Sequence, residues 1–328
     1  MRAWRVNELG HPSTSLRLEH DLPLPEPGPG QVRIRVGASN INFADILLCQ
    51  GVYQDRPGVP FTPGLETAGI VEAAGDGVDL EPGTLIAAMA ALPAGGYAEY
   101  ALARAPTALT FPDDVPAPSA TVLYSTFQTA HVALHRRAGL SEGEWLLVHG
   151  ASSGVGEAAV QLGVAAGARV IATAGSPAKR DHCANLGARH VLDSRGIDLQ
   201  SEIMDITAGR GVDVAFDPVG GPVGDLTRRV MAWEGRLVVI GFASGEVTNY
   251  PGNHVLVKNY AVLGLHWGAY VEHGGRGVLE EAHAELLSLY RSGAIQPPVS
   301  STIPLEEVPQ ALAALEDRTV IGRLVLTP

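Results

Sequence analysis

The chain has 328 residues, long for one domain and suited to two. Hydrophobic residues make up 46% and charged residues 18%, so a large core is available and a disordered chain is excluded. Lys plus Arg number 23 and Asp plus Glu 35, and the net charge of −12 argues against nucleic-acid or anionic-membrane partners. Two cysteines, Cys49 and Cys183, exclude a disulfide scaffold and a cysteine-rich zinc lobe. The N-terminus carries no signal-peptide apolar core, and no run reaches the ~18 apolar residues of a membrane span. A cytoplasmic location is expected.

Residues 1–110 alternate in short runs broken by Gly and Pro. Residues 1–6 read as a strand, 23–29 as a proline-rich connector, and 32–36, 69–73 and 85–87 as further strands. This part predicts a mostly β domain. Residues 119–137 carry apolar side chains at helical spacing. Strands are then predicted at 146–148, 168–173, 190–192, 212–216, 236–240 and 261–265. Helices are predicted between them at 154–166, 178–186, 199–207 and 222–232. Such alternation predicts a parallel sheet with helices on both faces. Helices at 278–292 and 306–315 and a strand at 322–326 close the chain. The expected division is 1–124 joined by 266–328, and 125–265.

The sharpest motif is Leu146-Leu147-Val148-His149-Gly150-Ala151-Ser152-Ser153-Gly154-Val155-Gly156. A buried strand runs into small residues that open a helix. Small residues let the backbone approach a pyrophosphate, and the helix start supplies unpaired N–H groups. Ser153, Gly154 and Val155 are therefore candidate cofactor contacts. NAD sites usually place an acid about 20 residues on, for the ribose hydroxyl. Here no acid occurs between Glu157 and Asp181, and Thr173, Ser176 and Lys179 follow instead. A hydroxyl and a cation suit a 2′-phosphate, so NADPH is the expected cofactor.

Further motifs carry a resemblance. They are residues 40–45 (Asn-Ile-Asn-Phe-Ala-Asp), 63–69 (Pro-Gly-Leu-Glu-Thr-Ala-Gly), 95–100, 128–130, the glycine loop, 217–221, 241–245 and 321–328. Together they resemble the medium-chain dehydrogenase/reductase superfamily, and within it the zinc-free quinone oxidoreductase (zeta-crystallin-like) branch. The resemblance spans nearly the whole chain. It implies an α/β protein with a GroES-like β-barrel catalytic domain and a Rossmann doubly wound coenzyme domain. It also implies a homodimer, with residues 261–265 at the shared edge.

Zinc relatives carry a Gly-His-Glu motif that here reads Gly64-Leu65-Glu66, and residues 40–45 lack the first cysteine ligand. No metal is expected. His131 and His135, four apart, are read as an ordinary helix pair.

Without zinc, alcohol oxidation loses its Lewis acid, and reduction of a quinone or α,β-unsaturated carbonyl becomes the expected reaction. The resemblance assigns Asn42 and Tyr53 to catalysis. It assigns Asn42, Thr129, Ser194 and Arg323 to the cofactor, and places Tyr124 beside the substrate. Gly241, Phe242 and Ala243 end the fifth coenzyme-domain strand at the carboxyl edge, where ligands bind. Arg195 is a weaker cofactor candidate. Two alternatives stand beside this reading: a 2-enoyl-CoA reductase of the acrylyl-CoA type, and a non-enzymatic NADPH-binding protein. Which group delivers the proton is left open.

Overall fold

A computed structural model describes all residues, 1–328. The chain forms two compact units, residues 1–125 with 299–328, and residues 126–298.

Unit 1 opens with β1 (Ala3–Val6), α1 (Pro12–Ser15) and β2 (Leu16–Glu19), a small antiparallel pair with a connecting turn. It continues with β3 (Gln31–Asn40), α2 (Phe43–Cys49), β4 (Glu66–Ala74), β5 (Leu85–Met89), β6 (Tyr100–Arg104), β7 (Leu109–Thr110) and α3 (Ala117–Thr121). In β3 Val32, Ile34 and Val36 are buried while Arg33 and Arg35 turn outward, the period-two alternation of a half-buried strand. β3 is the hub of the sheet, pairing antiparallel with β4 and β6.

Unit 2 begins at Thr126, just ahead of α4 (Gln128–His131). Then come β8 (Trp145–Val148), α5 (Gly154–Ala165), β9 (Arg169–Ala174), α6 (Pro177–Asn185), β10 (His190–Asp193) and α7 (Leu199–Ile206). β11 (Val212–Asp217), α8 (Pro222–Val230), β12 (Met231–Val239), α9 (Gly252–Lys258), β13 (Ala261–Gly264) and α10 (Arg276–Arg291) complete it. Six strands pair in parallel in the order β10-β9-β8-β11-β12-β13. The order reverses between β8 and β11, a topological switch point that opens a crevice at the carboxyl edge. The final segment returns to unit 1 as β14 (Val299–Ile303), α11 (Val308–Glu316) and β15 (Arg323–Leu326), with β15 joining β3.

Three details depart from the sequence reading. The returning tail starts at Val299 rather than at residue 266. Residues 266–298 stay with unit 2 because α10 buries Leu279, Ala282 and Leu286, and Glu285 on it meets His131 of α4. The single helix expected at 119–137 contains two π-helical turns, Val122–Phe127 and Val132–Arg137. Ala138 N–H reaches back five residues to the Ala133 carbonyl at 2.9 Å. Helix α8 stops at Val230, because Met231 already pairs with Val212 as strand. Apolar periodicity alone does not separate these two fates for a short buried run.

Candidate active site

The glycine loop of unit 2 follows β8 at the switch point. Gly150 adopts φ +56, a left-handed conformation that side chains disfavour. A Cβ on Gly156 would lie 2.2 Å from the Gly150 carbonyl oxygen, so that position accepts only glycine. The Ser153 hydroxyl caps α5 by accepting from Gly156 N–H at 3.3 Å. Ser153 is exposed, Gly154 buried and Val155 half-buried. The loop thus offers a bare backbone and a helix N-terminus, which fit a pyrophosphate.

The ends of β9 and β10 meet beside it. Ser176 caps α6, accepting from Lys179 N–H at 3.4 Å. A Cβ on Gly175 would sit 3.3 Å from both Ser194 Oγ and Arg195 Nε. Ser194 and Arg195 therefore converge on the turn that carries Ser176 and Lys179. Arg180 is engaged by Asp193 at 2.8 Å. Thr173 is buried, and its hydroxyl faces His149 at 3.0 Å. It lies under the loop, with no surface open to a ligand.

The turns after β11 and β12 are tied together. Ala243 N–H donates to the Pro218 carbonyl at 3.0 Å, and Ser244 N–H to that of Val219 at 2.9 Å. Asp217 Oδ1 accepts from Val219 and Gly220 N–H at 2.8 and 3.0 Å. This clamp leaves Phe242 and Ala243 exposed at the carboxyl edge, with Gly241 half-buried. Thr129 is half-buried on α4. A cavity of unit 2, about 550 Å³, is lined by Ile197, Gln200, Asp225, Arg229, Glu246 and Asn249. None of the sequence-predicted residues lines it.

In unit 1, Asn42 precedes α2, and its backbone N–H donates to Asp45 Oδ2 at 3.0 Å. The Asn42 side chain is only 8% exposed, and Nδ2 has no partner. Asp45 is buried and also accepts from Gly64 N–H, Leu65 N–H and the Tyr97 hydroxyl. Burial raises its carboxyl to about 6, against the pull of those hydrogen bonds. Tyr53 is half-buried against the same core. Burial, then the Glu66 and Asp45 carboxylates, push its hydroxyl up to about 12.

Glu66 had no role in the sequence reading beyond its motif. It stands beside the position where zinc relatives carry a ligand. Here Ser125 Oγ and Asn40 Nδ2 both donate to its Oε2, the latter at 2.8 Å. Hydrogen-bond donors hold the carboxylate, and the neighbouring residue is Leu65. Tyr124, expected to flank the substrate, is fully buried; its hydroxyl donates to the Thr107 carbonyl and accepts from Met89 N–H. Tyr124 is thus a packing residue. Arg323 is half-buried at the start of β15, in the parallel ladder with β14. His131 Nε2 meets Glu285 at 2.7 Å, its ring 4.6 Å from His135, so the pair joins two helices. No group of three His, Cys, Asp or Glu side chains is placed to hold a metal ion.

Residues 28–113 match the alcohol dehydrogenase GroES-like domain, and residues 154–286 match the zinc-binding dehydrogenase family. Quinone oxidoreductase-like protein 2 of Rattus norvegicus is 34% identical over 88% of this chain and 82% of its own length. The chain belongs to the medium-chain dehydrogenase/reductase superfamily, in its quinone oxidoreductase-like branch. The Escherichia coli quinone oxidoreductase solved with NADPH is 28% identical to this quinone oxidoreductase-like chain, with a TM-score of 0.90 and full coverage of both chains. A mycobacterial protein solved with NADPH is 30% identical, with a TM-score of 0.91 and full coverage of both. Unit 1 is thus the GroES-like domain of the quinone oxidoreductase-like fold, and unit 2 its Rossmann-type sheet. No helix is long and apolar enough to cross a membrane.

Proposed function

We propose that this oxidoreductase uses NADPH to reduce quinones or α,β-unsaturated carbonyls without a metal. The observation that carries the reading is the donor set of unit 1. Asn42 presents a buried, unpartnered amide Nδ2. Tyr53, held near 12, keeps its proton at neutral pH and remains a donor.

The coenzyme fits the residues of unit 2. Gly150 and Gly156 keep the loop bare for the pyrophosphate, with Ser153, Gly154 and Val155 opening α5. Ser176, Lys179, Ser194 and Arg195 suit a 2′-phosphate, and no acid competes at the end of β9. Gly241, Phe242 and Ala243 at the carboxyl edge, with Thr129, complete the expected contacts of unit 2. Bound NADPH supplies the hydride. The chain's own work is to orient the substrate and stabilise its charge. A conjugated carbonyl gains negative charge on oxygen during reduction, and Asn42 Nδ2 and the Tyr53 hydroxyl are donors for that oxygen. Asp45 accepts the Asn42 backbone N–H and so holds that donor in place.

The test is NADPH oxidation by the purified protein with a benzoquinone, an enone and crotonyl-CoA. Turnover of the quinone or enone is expected, with NADH much the poorer donor. Turnover of crotonyl-CoA alone would instead assign an enoyl-CoA reductase. NADPH binding with no turnover on any of them would assign a non-enzymatic binder.

A further inference from the structure

His149 lies inside the glycine-loop motif, yet the proposed reaction gives it no task. It is buried, 1% exposed, directly after β8. Its ring touches two hydroxyls. Nδ1 is 3.0 Å from Thr173 Oγ1 on β9, and Nε2 is 2.9 Å from Thr227 Oγ1 on α8.

These contacts determine where the ring proton sits. Thr227 Oγ1 donates its only hydrogen to the Val223 carbonyl at 2.7 Å, since a carbonyl can only accept. Toward His149 that oxygen offers lone pairs alone, so Nε2 must carry the hydrogen. Nδ1 is then the acceptor in the neutral ring, and Thr173 must donate to it. Each hydrogen in the chain Thr173, His149, Thr227, Val223 has one acceptor. Burial holds the imidazole below its ordinary value, while the Asp217 carboxylate, the one charged group acting on it, pulls the other way.

The chain of bonds has a mechanical consequence. Thr173 holds the glycine loop by its backbone as well, because Ala151 N–H donates to the Thr173 carbonyl at 3.1 Å. His149 N–H donates to the Phe216 carbonyl of β11 at 3.1 Å. The ring therefore braces the ends of β8, β9 and β11 against α8, at the root of the loop. Thr173, expected from sequence to touch the cofactor, instead spends its hydroxyl on this brace.

We propose that His149 is a positioning residue for the dinucleotide: as a single Nε2–H tautomer clamped between Thr173 and Thr227, it holds the glycine loop in its phosphate-binding shape. This rests on the reading that unit 2 binds NADPH. Removing one clamp contact leaves a buried imidazole N–H without a partner and frees the ring to turn.

The test combines spectroscopy with kinetics on the full chain. Nitrogen-15 NMR of the wild type at pH 7 is expected to show His149 with a protonated Nε2 and a bare Nδ1. Thr227→Val is expected to raise the KM for NADPH about tenfold, the scale of one buried hydrogen bond, with kcat at saturating NADPH unchanged. Thr227→Ser, which keeps the hydroxyl, is expected to restore the wild-type KM. A bare Nε2 in the wild type overturns the proposal. So does a Thr227→Val protein with wild-type KM, or equal losses in Thr227→Val and Thr227→Ser. Should Thr227→Val fail to fold, the wild-type tautomer and the Thr227→Ser KM decide. A wild type that binds no NADPH overturns the coenzyme reading itself, and this proposal with it.

Discussion

At the residue scale, the proposed preference for NADPH rests on a few side chains around Gly175. Lys179 and Arg195 are cations at that turn, and Arg180 beside them pairs with Asp193. Each charge-assisted bond to a phosphate contributes about 1.5–3 kcal/mol. Lys179→Ala and Arg195→Ala are each expected to raise the KM for NADPH tenfold or more by that estimate, and to leave the KM for NADH nearly unchanged. Equal effects on both coenzymes in steady-state kinetics would dismiss the phosphate role. Lys179, one of only two lysines in the chain, stood out in the sequence near the end of an acid-free stretch. Arg195 was legible only as a weaker candidate, since a cation next to a strand end is usually solvated, and the β9–β10 pairing is what brings it over Gly175.

In the proposed reaction, loss of the Tyr53 hydroxyl removes a donor to the substrate oxygen and nothing from the coenzyme. Tyr53→Phe is expected to lower kcat on an enone by ~10²-fold, the size seen when one oxyanion donor is lost, with the Kd for NADPH unchanged. Wild-type turnover in that variant would rule Tyr53 out of catalysis.

At the element scale, Asp45 is the pin of unit 1. Its two oxygens accept from Asn42, Gly64, Leu65 and Tyr97, tying α2, the Pro63–Leu65 turn and the Tyr97 loop together. Its carboxyl lies near 6 in the folded chain against an ordinary 3.8. The folded state therefore holds the proton more tightly than the unfolded chain. That contribution is fully present below 3.8 and is lost as the pH rises through about 6. Asp45→Asn removes it and leaves a buried N–H unaccepted, at a cost of about 1–3 kcal/mol. The stability gap between wild type and variant, from urea melts, is expected to widen as the pH falls from 7 to 4. A gap independent of pH would show that Asp45 does not titrate as described.

The elements themselves were largely legible. Five of the six parallel strands have sequence periods that end within a residue or two of the observed ones. The exceptions have physical causes. Met231 pairs with Val212 and Arg236 with Val214, so residues 232–235 form a break in the register with β11, and Glu234 adopts φ +58, which no periodicity encodes. The π-helical turns at 122–127 and 132–137 change the hydrogen-bond ladder by one residue while leaving the apolar pattern helical.

At the scale of the whole molecule, β13 is an edge strand, paired only with β12. Just before it, α9 exposes Leu256 at 78% and Val257 at 75%. An open edge beside exposed apolar side chains is a surface that self-pairing covers. We propose that two copies join here across a two-fold axis. Sedimentation of the wild type is expected to give twice the chain mass, and Leu256→Glu with Val257→Glu to give monomers. A wild type monomeric at micromolar concentration would refute the dimer.

Local signals carried the fold class and the family. Strand and helix periods, the bare glycine loop, and Leu65 in place of the ligand histidine depend on near neighbours alone. Tertiary structure decided what each polar side chain faces. Thr173 and Tyr124 look like ligand contacts in a motif, yet each spends its hydroxyl inside the protein. Glu66 and Arg195 gain their places from chain segments 59 and 20 residues away, Ser125 and Gly175. The return of the tail at Val299 rather than at residue 266 follows from the face that α10 buries. A hydrogen bond or a buried face needs its partner in space, and sequence spacing reports only the neighbours along the chain.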